Sequence, residues 1–99
     1  MTQQLDRHLV VVDSTVRREF FVRAVDAKGR KVTDFRVTLR RGSEVVRATA
    51  KAGVARPTIA FSVANYRKPL VLTVTAKGVS ASKTITLFSD TPIVLRLPK

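Results

Sequence analysis

The sequence predicts an all-β fold, a seven- or eight-stranded antiparallel β-sandwich, and two observations support this. Short apolar or alternating runs recur at roughly eight- to twelve-residue spacing, with turn-forming residues between them. No stretch shows a convincing helical period, and the alanine-rich window 47–60 is interrupted by Gly53 and Pro57, which disfavour a helix. The chain therefore reads as a succession of strands and turns.

The length and apolar content indicate one domain. The chain has 99 residues, of which 44% are hydrophobic, enough for a single core. Residues 1–8 are polar and are predicted to be a flexible N-terminal segment, whereas residues 9–99 form the sandwich. Residues 9–13 are predicted to be the first strand, and residues 14–18 are either a turn or its continuation.

The first half of the chain contains the clearest hairpin. Residues 19–25 are apolar on both faces, which predicts a central strand, and Asp26 and Gly29 supply the turn that follows. Residues 35–41 then alternate, with Arg36 and Arg40 outward. The inward residues of the second strand are predicted to be Phe35, Val37 and Leu39. In the first strand, Phe20, Val22 and Ala24 share one face, and Phe21, Arg23 and Val25 share the other.

The second half continues the alternation over five further runs. The predicted strands are residues 45–50, 58–63, 70–76, 82–87 and 93–97. Gly53, Gly78 and Pro92 stand in the connections, where turn geometry is needed. The predicted inward residues are Ile59, Phe61, Val63, Leu70, Leu72, Val74, Ala76, Ile85, Leu87, Ile93, Leu95 and Leu97.

Several of these segments resemble one known superfamily. The run Val25-Asp26-Ala27-Lys28-Gly29-Arg30-Lys31-Val32 is similar to its V-x-D-x-x-G-x-P-V hairpin, and residues 70–79, LVLTVTAKGV, are similar to its L-x-V-x-A-x-G strand. With the apolar strand 35–39, Gly53 and the finish at 93–97, residues 20–97 resemble the transthyretin-like, carboxypeptidase-regulatory-like or prealbumin-like sandwich, which is Ig-like in architecture. Lys31 replaces the family's usual proline, and the early strand glycine is absent.

The resemblance implies a non-enzymatic accessory or protein–protein interaction module within a larger bacterial protein. Fold likeness alone does not assign a function. The hydroxyisourate-hydrolase branch needs several histidines and a Tyr-Arg-Gly-Ser tail, but this chain has only His8 and ends in Leu-Pro-Lys. The pilin branch forms Lys–Asn isopeptide bonds, but Asn65 falls in a predicted loop. Neither chemistry is expected, and no catalytic residue or cofactor is predicted.

Charge is the strongest compositional signal. Nineteen Lys and Arg, twelve of them Arg, stand against seven Asp and Glu, for a formal net charge of +12. Such a field favours acidic protein surfaces, nucleic acid or anionic lipid as partners. Solubility and the codon bias of an Arg-rich genome are competing explanations of this net charge, and the sequence leaves them open.

The outward cations define a candidate surface for an anionic partner. Its members are Arg23, Arg36, Arg40, Arg47, Lys83 and Arg96. If their strands share a sheet, they form one basic face, since arginine forks suit carboxylates and phosphates. The hydroxyl groups expected between them belong to Thr38, Thr73, Thr75 and Thr86. A solvated sheet face whose charges protect the edges is the competing interpretation.

Two classes of partner follow from this surface. An acidic protein surface, or another domain of a parent chain, is the first expectation. Nucleic acid held by phosphate contacts is the alternative. Proteins that bind single strands stack the bases on exposed aromatic side chains, and only Tyr66, Phe21 and Phe88 could serve here. A homo-oligomer formed through sheet edges is a further option that the sequence does not decide.

Metal and compartment signals are weak. His8 stands alone, and Asp26 and Asp34 are interpreted as turn formers because the surrounding lysines and arginines would repel a cation. There is no cysteine, hence no disulfide or thiolate site. The absence of a signal-peptide pattern and of a membrane-length apolar run favours the cytoplasm, with secretion left open for an excised domain.

Overall fold

The computed structural model describes residues 15–98, which form nine β-strands. The strands are β1 (Thr15–Glu19), β2 (Val22–Val25), β3 (Lys31–Val32), β4 (Arg36–Arg41), β5 (Glu44–Thr49), β6 (Thr58–Ser62), β7 (Leu70–Ala76), β8 (Val79–Ile85) and β9 (Ile93–Arg96). The described part of the chain contains no helix, and so none that could span a membrane. The all-β prediction is confirmed.

One layer is a four-stranded antiparallel sheet in the order β5-β4-β7-β8. Two tight hairpins build its sides: β4 and β5 turn through Gly42-Ser43, and β7 and β8 turn through Lys77-Gly78. Lys77 and Gly78 both have positive φ, 51° and 81°. A two-residue turn with two positive φ values has the twist that matches paired strands.

The opposite layer contains β1, β2, β3, β6 and β9, and the segment from β1 to β2 runs through both of its sheets. β1 pairs with β6, and β2 lies between β3 and β9. A hydrogen bond of 2.9 Å from Phe20 N to Pro57 O, and the bridge between Val22 and Ala55, carry the pairing from β1 into β2. The β1–β6 and β3-β2-β9 sheets are therefore continuous through this segment.

The core lies between the two layers. Its buried residues are Phe20, Val22, Ala24, Phe35, Val37, Leu39, Ala55, Ile59, Phe61, Leu70, Leu72, Val74, Ala76, Ile85, Ile93, Leu95 and Leu97. Alternation along each strand sends every second side chain into this cluster, as the period of two requires. The result is a sandwich-like fold, and most of the inward positions predicted from alternation are buried.

The structure corrects the strand plan in several places. The predicted strand over residues 19–25 is interrupted at Phe20 and Phe21, and the short β3 was not predicted. β2 and β9 pair in parallel, so the fold is not purely antiparallel. Val63, predicted inward, follows the end of β6 and is 62% exposed. The predicted flexible segment 1–8 and strand 9–13 lie outside the described residues.

Candidate functional site: a basic sheet face

The outer face of the four-stranded sheet carries twelve side chains in three rows across four strands. We call it the arginine–threonine face; its members are Val45, Arg47 and Thr49 in β5, Arg36, Thr38 and Arg40 in β4, Val71, Thr73 and Thr75 in β7, and Ser80, Ser82 and Thr84 in β8. These residues share one face because directly paired residues of antiparallel strands point the same way. The face holds three cations and seven hydroxyls, with no carboxylate and no aromatic ring.

The three arginines converge by register. Thr38 lies between Arg36 and Arg40 along β4, and Arg47 is the direct partner of Thr38 in β5. Two residues along a strand span about 6.7 Å and neighbouring strands lie about 4.8 Å apart, so each β4 arginine has its Cα roughly 8 Å from that of Arg47. All three side chains are exposed. Within residues 15–98 none of them joins an ion pair.

Hydroxyl pairs stiffen the other half of the face. The side-chain oxygens of Thr73 and Ser82 lie 3.0 Å apart, and those of Thr75 and Ser80 lie 2.9 Å apart. Each pair spans β7 and β8 between directly opposite residues, which is the position where cross-strand side chains stabilise a sheet. The strand register places Thr38, Thr73 and Thr75 on the same face as the three arginines.

A shallow open depression of about 450 Å³ lies between the arginines. Its walls come from β4, β5 and β7, and include the side chains of Arg36, Arg47 and Thr49. The depression is open to solvent, and its floor is the surface of the sheet. Its shape therefore suits a ligand that lies across the strands better than a small molecule enclosed on all sides.

Thr86 lies beyond the face. It follows the end of β8, where its backbone N–H donates to Ser89 Oγ at 3.0 Å and its hydroxyl accepts from Phe88 N at 3.2 Å. These bonds close the turn after β8. Thr86 is thus used locally and does not interleave with the arginines.

Arg23 and Arg96 do not belong to the arginine–threonine face. Arg23 lies in β2 beside Val94, and Arg96 lies in β9 beside Val25, so both project from the opposite layer. Arg96 also donates a hydrogen bond of 3.1 Å to Ala27 O in the β2–β3 turn. The expectation of a single surface was wrong for these two residues, because alternation assigns a face within a strand but not the sheet to which that strand belongs.

Lys83 is also placed differently from the prediction. Its partner in β7 is the buried Leu72, so Lys83 lies on the inner side of β8. It is exposed nonetheless, because β8 is an edge strand with nothing beyond it in the described part of the chain. A charge on the inner side of an edge strand opposes pairing with another sheet. Lys83 therefore disfavours the addition of a strand at the β8 edge, and its side chain does not belong to the arginine–threonine face.

Two further arginines point inward, and sequence reasoning did not single them out. Arg41 is 8% exposed; it pairs with Glu44 at 2.6 Å, donates to Ala60 O at 2.8 Å and lies 5.0 Å from the Phe61 ring centroid. Arg18 lies 4.7 Å from the Phe20 ring centroid and donates to Leu87 O and, at 2.6 Å, to Ser89 O. The signal for Arg41 was present: it continues the inward alternation of β4.

The acidic residues of the β2–β3 hairpin serve the turn. Asp26 accepts hydrogen bonds of 2.9 Å from the backbone N–H of Lys28 and of Arg30, and its carboxylate pairs with Arg30 Nε at 3.1 Å. The Arg30 N–H, above all, holds the pKa of Asp26 below its ordinary value, with the Lys28 N–H and the Arg30 charge adding to it against some desolvation. The interpretation of Asp26 as a turn former is confirmed.

Asp34 and Asp26 border one depression of about 290 Å³ at an end of the sandwich. Lys31 and Lys77 line the same depression, so positive charge accompanies the two carboxylates. Within residues 15–98 no three His, Cys, Asp or Glu side chains cluster as a metal site would require. The depression is therefore lined by two carboxylates and two ammonium groups, whose charges cancel.

Comparisons with protein-family models, with curated proteins and with solved structures find no match to this chain. No relative therefore assigns a family to the sandwich-like fold.

Proposed function

We propose that this chain is a non-enzymatic interaction module that binds an acidic partner protein, or an acidic domain of a parent chain, through the arginine–threonine face. The observation that carries the proposal is the convergence of Arg36, Arg40 and Arg47 on one open sheet surface with no carboxylate among its twelve side chains. Evenly scattered charges would place acidic residues among them. A surface of one sign attracts and orients a partner of the other sign.

The chemistry of the face suits carboxylates. A guanidinium presents several N–H donors in a planar fork, which matches a carboxylate in a bidentate geometry. The neighbouring hydroxyls of Thr38 and Thr73 can donate or accept hydrogen bonds at the same level of the sheet. Val45 and Val71 flank Arg40 in adjacent strands and add apolar contact area at one end.

A nucleic-acid ligand is the second candidate. Its support is the large net charge and the presence of exposed arginines on both layers, among them Arg17 and Arg23. Phosphates would use the same guanidinium and hydroxyl donors. The face lacks an aromatic ring on which a base could stack, and this favours the protein ligand over a single-stranded one.

We also propose that the sandwich is of the transthyretin-like, Ig-like type. Support comes from the Asp26 turn, which closes the β2–β3 hairpin in the run that resembles the family's motif. The parallel pairing of β2 with β9 brings the early and final strands of the domain together. The binding proposal does not depend on this assignment.

The test compares two triple charge reversals. Arg36→Glu/Arg40→Glu/Arg47→Glu alters the face, and Arg17→Glu/Arg23→Glu/Arg56→Glu lowers the net charge by the same amount at exposed positions outside it. Binding to fluorescent poly-L-glutamate and to mixed-sequence single- and double-stranded DNA is measured by anisotropy across a salt series. We expect the face variant to lose at least ~10-fold in affinity for poly-L-glutamate, and the control to change by less than about 3-fold.

Two outcomes would reject the proposal. Equal losses in both variants would show that net charge alone drives binding. Tighter binding of DNA than of poly-L-glutamate at the same salt, with a steep salt dependence, would establish the nucleic-acid alternative.

A further inference from the structure

Strand β5 is an edge of the four-stranded sheet, and its outer backbone groups point away from β4. Among the described residues β5 pairs with β4 alone. The hydrogen bond of 2.9 Å from Ala50 N to Phe35 O fixes the phase of the β4–β5 ladder. Because hydrogen-bonded and non-hydrogen-bonded pairs alternate in an antiparallel ladder, the N–H and C=O groups of Val45, Arg47 and Thr49 face outward.

The two edges of this sheet differ in protection. β8 carries Lys83 on its inner side, where an added strand would have to lay an apolar residue against an ammonium group. β5 carries Val46 and Ala48 on its inner side, both half-buried against the core, and contains no proline. Its one inner charge, Glu44, lies at the end of the strand and is already paired with Arg41. The β5 edge is therefore the one open to an added strand.

The charge on β5 specifies what kind of strand fits there. Arg47 is central in the strand and exposed, and it is one of the three arginines of the arginine–threonine face. A strand added to β5 would lie about 4.8 Å away, and its outward side chains would stand directly beside Arg47. An acidic residue at that position would pair with the guanidinium, while its neighbours in sequence would turn inward beside Val46 and Ala48.

We propose that the acidic partner binds as an extra β-strand at the β5 edge, with acidic side chains on the arginine–threonine face and apolar side chains on the core side. This inference rests on the proposed function and specifies the form of the partner: an extended segment in which acidic and apolar residues alternate. Backbone hydrogen bonds supply affinity in such an arrangement, and the alternating side chains supply specificity.

A second copy of this chain fits the same edge poorly. An antiparallel β5–β5 pair centred on Arg47 would set the two Arg47 side chains directly opposite each other, and like charges there are destabilising. Each copy also carries a net charge of +12, so their association works against repulsion. An acidic segment meets neither obstacle.

The experiment uses a fluorescent peptide of about seven residues with alternating Glu and Val, and a scrambled peptide of the same composition whose Glu residues are consecutive. Two proline variants separate the edges. Thr49→Pro removes an outward N–H from β5, and Ser82→Pro removes the equivalent outward N–H from β8; neither N–H belongs to the sheet's own ladder. Circular dichroism and thermal melts verify that each variant is folded.

We expect Thr49→Pro to weaken binding of the alternating peptide at least ~5-fold more than Ser82→Pro does, because each variant removes one hydroxyl from the face but only Thr49→Pro blocks the β5 edge. The scrambled peptide should bind more weakly than the alternating one. In unmodified protein, amide exchange followed by NMR should slow at Val45, Arg47 and Thr49 when the peptide is added, but not at Ser82. This measurement tests the inference even if Thr49→Pro does not fold.

The outcomes separate this inference from the proposed function. If the Arg36/Arg40/Arg47 reversal abolishes binding while Thr49→Pro and the β5 amides are unaffected, the face binds acidic partners without strand addition and the inference is overturned. Protection at Ser82 in place of Arg47 would overturn it as well. If the reversal also has no effect, both proposals fail.

Discussion

At the scale of single residues, the eleven arginines within residues 15–98 are in quite different surroundings. Arg41 packs on Phe61 inside the fold, Arg30 pairs with Asp26 in a turn, and Arg47 lies exposed on the face. All of these residues count equally toward the net charge. A guanidinium that is already hydrogen-bonded within the protein, however, has fewer N–H donors left for a partner. Only the exposed and unpaired positions define a binding surface.

Asp26 predicts a pH dependence at the same scale. Its pKa is lowered from 3.8 in the folded protein, so the carboxylate stabilises the fold above the unfolded-state pKa, and this contribution is lost as pH falls through the lower folded pKa. Asp26→Asn keeps an oxygen that can accept from Lys28 N and Arg30 N but removes the charge. We expect the variant to be less stable at pH 7 and to lose less stability below about pH 4.

Urea unfolding of both proteins across this pH range measures the effect. Asp90→Asn, at an exposed position, is the control and should follow the unmodified protein. Parallel pH profiles for Asp26→Asn and the unmodified protein would show that the Asp26 charge contributes nothing to the hairpin.

At the scale of the element, the hairpins of the four-stranded sheet determine the arginine–threonine face. The β7–β8 turn aligns Thr73 with Ser82 and Thr75 with Ser80, and the β4–β5 turn aligns Thr38 with Arg47. A shift of one residue in either hairpin would send these side chains to the core side. The turns therefore position the arginines and hydroxyls as well as closing the chain.

The β7–β8 turn contains a lysine at a position whose backbone conformation favours another residue type. Lys77 has φ = 51°, a left-handed conformation that asparagine tolerates better than lysine. We expect Lys77→Asn to raise the free energy of unfolding by ~0.5 kcal/mol, and Lys77→Val to lower it by ~1 kcal/mol or more, because branching at Cβ is poorly tolerated there.

Urea titration gives both values. Lys68→Asn removes the same charge from an exposed loop position that does not have positive φ and should change stability little. A gain for Lys68→Asn equal to that for Lys77→Asn would attribute the effect to net charge instead of turn geometry.

At the scale of the whole molecule, Arg41 connects the two layers. It lies at the end of β4 in one layer and donates to Ala60 O in β6 of the other, while its guanidinium packs on Phe61. The salt bridge with Glu44 offsets the burial of its charge. Arg41 therefore joins the four-stranded sheet to the β1–β6 pair at the margin of the core.

Its neighbour Arg40 offers a matched comparison, because it projects from the opposite face of the same strand. We expect Arg41→Ala to lower the free energy of unfolding by ~2–3 kcal/mol, through lost packing and an unpaired carbonyl, and Arg40→Ala to change it by less than ~0.5 kcal/mol. Thermal or urea unfolding measures both. Similar values for the two variants would contradict the bridging role of Arg41.

Local sequence patterns were enough to predict the all-β class and most of the buried residues. Alternation is a local property, so the inward residues of β4 and β7 follow from their sequences, and Asp26 and Gly29 specify their turn through local hydrogen bonding and permissive backbone angles. The same alternation placed Arg36 and Arg40 outward. It failed at Val63, which continues the pattern beyond the point where β6 ends.

Which cations lie together depends on how the strands pair, and local pattern does not show this. Arg47 joins Arg36 and Arg40 because β5 pairs with β4, whereas Arg23 and Arg96 belong to the opposite layer and Lys83 lies on the inner side of an edge. Strand order depends on contacts between residues far apart in sequence, and a period of two carries no information about them. The same strand order leaves β5 with no second neighbouring strand among residues 15–98.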